Sequence, residues 1–283
     1  MGTFARLPKD LLELAELFRS YSATDPRDKI YAILGLALAM ETDRYATRID
    51  PNYDIASKDL FLRFARLVVS GPGALRILCN VDSSRLQWGN VPSWVPDWGV
   101  SLQVRPLTEL CKSEWLLPQQ RAVLFTSPSP GVLKLAGKRV DTIKVLGDTL
   151  LEPHSESGRR VWERWYSLVS TSGQTHASSF NWNAFAVPID RKTRAPDIPN
   201  HCREICVGRR YLQTRQGHCG LAPSNAMIGD EVVLFPGAEL PFIVRRDISD
   251  NMCYLVGECY LDHIFPDSLL KEKRYKQREY CLK

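Results

Sequence analysis

The sequence predicts an α+β fold, in which an N-terminal helical section is followed by a small antiparallel β-barrel or curled sheet carrying a helix-and-loop insertion. Three observations point there. Up to Val69, apolar side chains recur at three- and four-residue steps, the period of helices with a buried face. Pro106, Pro118, Pro128 and Pro130 then interrupt residues 101–130. From Gly131 the pattern changes to short apolar runs separated by turn formers, as in small barrels. The expected spans are a helical section over 1–100, a connector over 101–130, a barrel over 131–266 with its insertion at about 150–204, and a charged tail over 267–283.

The first helix is expected over Pro8–Tyr21, where Leu7, Leu11, Leu14, Phe18 and Tyr21 form a stripe that Leu12 and Ala15 widen. The second begins in SATDPRDKIYAILGLA, Ser22–Ala37. Asp25 suits the N-cap and Pro26 the first helical position. Asp28 suits the third, where a carboxylate faces free N–H groups and the positive end of the helix dipole. Ile30, Tyr31, Ile33, Leu34 and Leu36 make this helix apolar on nearly every face, so other elements must enclose it. It ends near Gly35 or runs to Met40. Ser57 is expected to cap a third helix, with Asp59 in its first turn and Leu60, Phe61, Phe64, Leu67 and Val68 on its buried face; Gly71-Pro72-Gly73 stops it. Leu75–Cys79 reads as a strand or a helical turn. Val91–Gly99 holds two X-Pro steps, which favour an extended, kinked path. Within it Trp94 and Trp98 are candidates for clamping the loop onto the helices, and Asp97 lies between them.

In the second half, VLKLAGKRVDTIKVLG predicts two short strands around Gly137, with Leu133, Leu135, Val140 and Ile143 inward. Val161–Ser170 predicts an aromatic helix, and Thr171–Asn200 a long polar loop with one helical turn. RRYLQT, HCGLA, EVVLF, PFIVRR and CYLVGECY follow as strands. Gly229-Asp230 enters a strand through a turn. Asp267–Lys283 reads as a surface helix or frayed end.

The 37 basic and 32 acidic residues leave a net charge of +5, spread along the chain. No segment has the concentrated basic excess of a nucleic-acid binder, so nucleic acid is a disfavoured partner. No signal peptide is visible, and the longest apolar run, Ile30–Met40, is far short of the ~20 residues that span a bilayer. Eight cysteines without secretory context point to reduced cytoplasmic thiols.

Residue types able to do chemistry do not converge on one reaction. Asp25 and Asp28 are better explained by the helix start they build than as a catalytic pair. Arg27 and Lys29 are available for nearby carboxylates or a partner surface. His201, Cys202, Cys206, His218 and Cys219 lack zinc-site spacing, phosphate loops are missing, and neither metal nor cofactor is expected. Two alternatives remain. One is a cysteine-dependent hydrolase using Cys219 or Cys202, although strand neighbours such as His218 and Cys219 point to opposite faces. The other is an RNA-binding barrel edge built on Tyr211, Phe235, Phe242 and Arg245.

DPRDKIYAILGLA, IDPNYDIASKDLFLRFAR (Ile49–Arg66), VPSWVPDW (Val91–Trp98), LKLAGKRVDTIKVLG (Leu133–Gly147) and the blocks within Arg209–Ile264, among them GDEVVLFPG and YLVGECYLDHI, occur in the order found in fungal heterokaryon-incompatibility (HET) proteins. The chain resembles the region that follows the signalling domain of that family. The signalling domain's Ser-Tyr-x-Trp-Gly signature does not occur in this sequence. The resemblance implies a non-catalytic, truncated, cytoplasmic member of a nonself-recognition and cell-death family. Its implied partner is a signalling HET domain or a nonself allele product. Asp25, Pro26, Arg27, Asp28, Tyr31, Trp94, Asp97, Trp98, Gly229, Asp230, Gly257 and Glu258 lie in the matching blocks and are the structural or interaction candidates. The Leu11–Phe18 and Ile30–Ala37 faces are expected to be partly exposed without the signalling domain.

Overall fold

The computed structural model describes residues 10–39, 48–71, 74–81, 91–102, 104–107, 124–125, 127, 129–171, 204–261 and 275–283. Helix α1 (Leu11–Phe18) is capped by Asp10, whose carboxylate accepts from Glu13 N–H at 2.8 Å. It is shorter than expected, and Tyr21 lies outside it and is exposed. Helix α2 (Asp28–Ala39) runs through Gly35. Helix α3 (Ser57–Val69) has Ala56, not Ser57, at its N-cap, with no side-chain cap. The Leu75–Cys79 stretch belongs to a 3-10 helix, Ala74–Asn80.

The second half is organised by one strand. A two-residue strand β1 (Leu124–Phe125) pairs with β2 (Leu133–Leu150), which is a single 18-residue strand rather than two strands around Gly137. Gly137 is a place of close approach: a Cβ there would sit 2.9 Å from the rings of Phe235 and Tyr280. Helix α4 (Glu156–Thr171) follows, with Trp162, Trp165 and Val169 buried against the sheet. The remaining strands are β3 (Arg209–Thr214), β4 (Cys219–Pro223), β5 (Glu231–Leu234), β6 (Phe242–Arg246), β7 (Cys253–Glu258), β8 (Tyr260–Leu261) and β9 (Gln277–Leu282).

Strand β9 corrects the charged-tail expectation. It pairs with β2 from Leu133↔Leu282 to Lys138↔Gln277. Its other side meets β7 in parallel at Cys253↔Leu282, so the sheet is mixed rather than purely antiparallel. Because β2 also pairs with β5, the path β2–β5–β6–β7–β9–β2 closes into a ring. The later half of β2 leaves the ring and carries β3, β4 and β8 as an open extension.

The helices and ring share one core. Leu11, Leu14, Ile30, Ile33, Leu60, Phe61, Phe64, Trp94 and Trp98 cluster with Leu133, Leu135, Val233, Phe235, Phe242, Val244, Leu255, Tyr280 and Leu282. Each large side chain buried there contributes roughly 1.5–3 kcal/mol, so this junction outweighs any single ion pair across it. The α1 and α2 faces expected to be partly exposed are largely covered by it; Phe18 and Leu36 are partly buried, while Leu17 on α1 and Ala32, Gly35 and Leu38 on α2 are exposed, so α2 keeps one open side instead of being enclosed all round. Among the described residues, no helix is long and apolar enough to cross a membrane.

Candidate functional site

Asp25 and Pro26 lie in the turn that leads into α2, where Asp28 N–H donates to the Asp25 carbonyl at 3.0 Å. The Asp25 carboxylate still does cap-like work. It accepts from Arg27 N–H at 2.9 Å and holds the Arg27 guanidinium at 2.7 Å. The hydrogen bond from Arg27 keeps the Asp25 carboxyl below the usual carboxylate range. Arg27 also donates to the carbonyls of Tyr53 and Ile55, and its guanidinium lies 5.2 Å from the Tyr53 ring centre. Tyr53 donates to Asp28 at 2.5 Å, while Tyr31 hydroxyl donates to the Asn52 carbonyl at 2.6 Å. The DPRD and NYD segments thus recognise each other. The charges of Asp25, Arg27 and Asp28 are used within the fold, while Tyr53 stays half exposed.

The Val91–Trp98 loop is a core anchor, as its two tryptophans suggested. Trp94 Nε1 donates to the Gly131 carbonyl at 2.9 Å, tying the loop to the start of β2. Trp98 packs edge-on against Phe64, their ring centres 5.6 Å apart. Over Trp98 lies Arg19, a buried arginine at the end of α1 that sequence reading missed. Arg19 donates to the carbonyls of Asn80 (2.9 Å), Asp97 (2.8 Å) and Val100 (3.2 Å). Asp97 carboxylate closes the loop by accepting from Gly99 N–H at 2.8 Å.

The 3-10 helix is a polar hub between the two halves. Arg76 faces Asp10, Glu13 and Glu16 of the α1 segment at 3.0, 3.5 and 3.7 Å. Burial pushes the Glu16 carboxyl up, against the opposing effects of Arg76 and of Asn80, which donates to it at 2.7 Å. Burial also pushes the Cys79 thiol well up, with Glu258 adding to the shift.

Glu258 belongs to the innermost of these contacts. It is buried and meets the equally buried Arg209 at 2.7 Å. Its Oε1 also accepts from Leu107 N–H at 2.7 Å, while Arg209 Nη2 donates to the Arg105 carbonyl at 2.9 Å. The connector is therefore hooked onto β3 and β7. Gly257 precedes Glu258 with φ of +149°, and a Cβ there would lie 2.9 Å from Pro223 Cγ. At the β4–β5 turn, Gly229 has φ of +95°, as a turn glycine should. Asp230 accepts from Met227 N–H at 2.8 Å and pairs with Arg245 at 2.9 Å.

Tyr211, Phe235 and Phe242 are buried, and Arg245 is committed to Asp230, so they do not form an exposed barrel edge. Cys219 is buried and receives the Tyr211 hydroxyl at 3.0 Å. Cys202 and His201 lie outside the described residues. Among the described residues, no three His, Cys, Asp or Glu side chains group as a metal site would require.

Residues 196–282 match the Het-6 beta-barrel domain family. The match takes in β9, which sequence reading had set apart as a tail, and leaves out β2, which closes the ring. The chain is also similar to heterokaryon incompatibility protein 6, OR allele, of Neurospora crassa, at 24% identity over 92% of this chain and 52% of that protein. It therefore spans about half the length of this curated relative. No solved structure matches the chain. Taken with the five sequence blocks, these similarities support a protein related to the heterokaryon incompatibility proteins, whose C-terminal third matches the Het-6 beta-barrel domain.

Proposed function

We propose that this chain is a non-catalytic, partner-binding module of a heterokaryon-incompatibility-type protein. It would act in the cytoplasm in nonself recognition and the cell death that follows. The observation that carries this reading is the similarity to heterokaryon incompatibility protein 6, which runs through both the helical section and the barrel. Its partner is a signalling HET domain or the product of a nonself allele. The buried state of Cys219 and the raised thiols of Cys79, Cys253 and Cys259 favour this reading over a cysteine hydrolase, whose nucleophile must be reachable and readily ionised.

The test pairs binding with phenotype. Purified chain is titrated with a purified signalling HET domain. The chain is also expressed in a fungal strain that is then fused with strains carrying the opposing allele. Saturable binding together with a changed frequency of post-fusion cell death is expected. No binding and an unchanged frequency would contradict the proposal. Thiol alkylation that abolishes a measurable hydrolysis would favour the enzyme reading instead.

A further inference from the structure

The Arg209–Glu258 contact is half closed. Nε and Nη2 of an arginine face the same side, and a carboxylate can take both in a two-pronged contact. Here Nη2 meets Oε1 at 2.7 Å, while Arg209 Nε and Glu258 Oε2 are buried without a well-formed hydrogen bond among the described residues, the Cys79 thiol being the protein donor nearest to hand for the Glu258 carboxylate. A donor and an acceptor in that state carry a large desolvation cost, and native proteins rarely leave such atoms unsatisfied. Both residues line a cavity of about 20 Å³ between the 3-10 helix, the connector and the barrel, whose other walls include Cys79, Val81, Val104 and Gly257.

We propose that this cavity is a binding site for one structural water molecule, which accepts from Arg209 Nε–H and donates to Glu258 Oε2. Size and chemistry select this ligand together. A buried water needs roughly 10–15 Å³ and two to four polar partners. The cavity holds one heavy atom and little more. An anion is repelled by Glu258 and a cation by Arg209, whereas a neutral group that donates and accepts satisfies both. The water completes the joint that holds Arg105 and Leu107 of the connector to β3 and β7.

Two measurements on the unmodified chain test this. A high-resolution crystal structure is expected to show a single density peak within hydrogen-bond distance of both Arg209 Nε and Glu258 Oε2. In solution, the Arg209 Nε–H proton is expected to show a water cross-peak with the sign of a long-lived contact. A direct Nε–Oε2 bond in the crystal, or a site without density whose Nε–H shows no such cross-peak, overturns the proposal. Neither result bears on partner binding, so the two readings fail separately.

Discussion

Two arginine–carboxylate pairs have the same contact distance, 2.7 Å, and opposite surroundings. Arg27 and Asp25 are two residues apart, with side chains 23% and 29% exposed. Arg209 and Glu258 are 49 residues apart, with side chains 3% and 4% exposed. The first is a local device that shapes the entry to α2 and meets Tyr53. Water competes for it at all times, and such pairs add little stability. The second joins the connector, β3 and β7, where neither charge is open to bulk solvent. Removing one partner there strands the other, although the intact pair need not be strongly stabilising. Distance alone says nothing about which pair matters; burial decides it.

The comparison breaks most easily at the buried pair. Glu258→Ala is expected to cost about 3–5 kcal/mol, read as a lowered urea midpoint, because Arg209 stays buried and unpaired. Adding Arg209→Ala is expected to return part of that loss. Additive losses in the double variant would mean the charges are not coupled. Next comes a purely steric test, Gly137→Val. Phe235 and Tyr280 leave no room for the new side chain, and a loss of about 1–3 kcal/mol is expected by the same denaturation. A neutral effect would mean that β2 bends freely at this point.

Smaller still is the pH response of exposed charge. The Lys283 ammonium bridges Asp247 and Asp250 at 2.7 and 2.6 Å, and hydrogen bonding from it lowers both carboxyl pKa values. A lowered carboxyl pKa favours folding above the ordinary Asp value of about 3.9. That contribution is lost as pH falls through the lowered values. Lys283→Met is therefore expected to flatten the acid limb of a stability-against-pH curve, and an unchanged limb would contradict this. Glu16 runs the other way. Its raised pKa means the folded state holds the proton more tightly, so stability falls as pH rises past the ordinary Glu range. Glu16→Gln is expected to remove that decline. Smallest of all is Arg27→Ala, whose expected effect on the unfolding midpoint is well below that of Glu258→Ala. An equal loss would erase the distinction between the two pairs.

What could be read in the sequence follows the same line between local and distant. The α2 helix was legible because its apolar residues leave no polar face. Trp94 and Trp98 were legible as anchors because two X-Pro steps exclude a helix around them. The Gly229-Asp230 turn was legible because turn chemistry is local. Gly137 was misread as a break between two strands because an isolated glycine also marks the point where another ring approaches a continuous strand, here Phe235 and Tyr280. Strand β9 was missed because Gln277, Arg278 and Glu279 are exposed and only Tyr280 and Leu282 are buried, so the segment looks like a charged tail until β2 and β7 flank it. Arg19 and Arg209 carried no signal of their own. Each is one basic residue among many until folding places distant carbonyls or a distant carboxylate beside it.

The most direct test of the account concerns the core shared by the helices and the ring. Hydrogen exchange of the chain is followed across a urea series, comparing Ile30–Ala37 of α2 with peptides from β2 and β9. A shared core predicts that all three are exposed by the same opening, with one free energy and one urea dependence. If α2 opens at lower urea while β2 and β9 stay protected, the helical section and the barrel are separate units, and the joint described here does not hold them together.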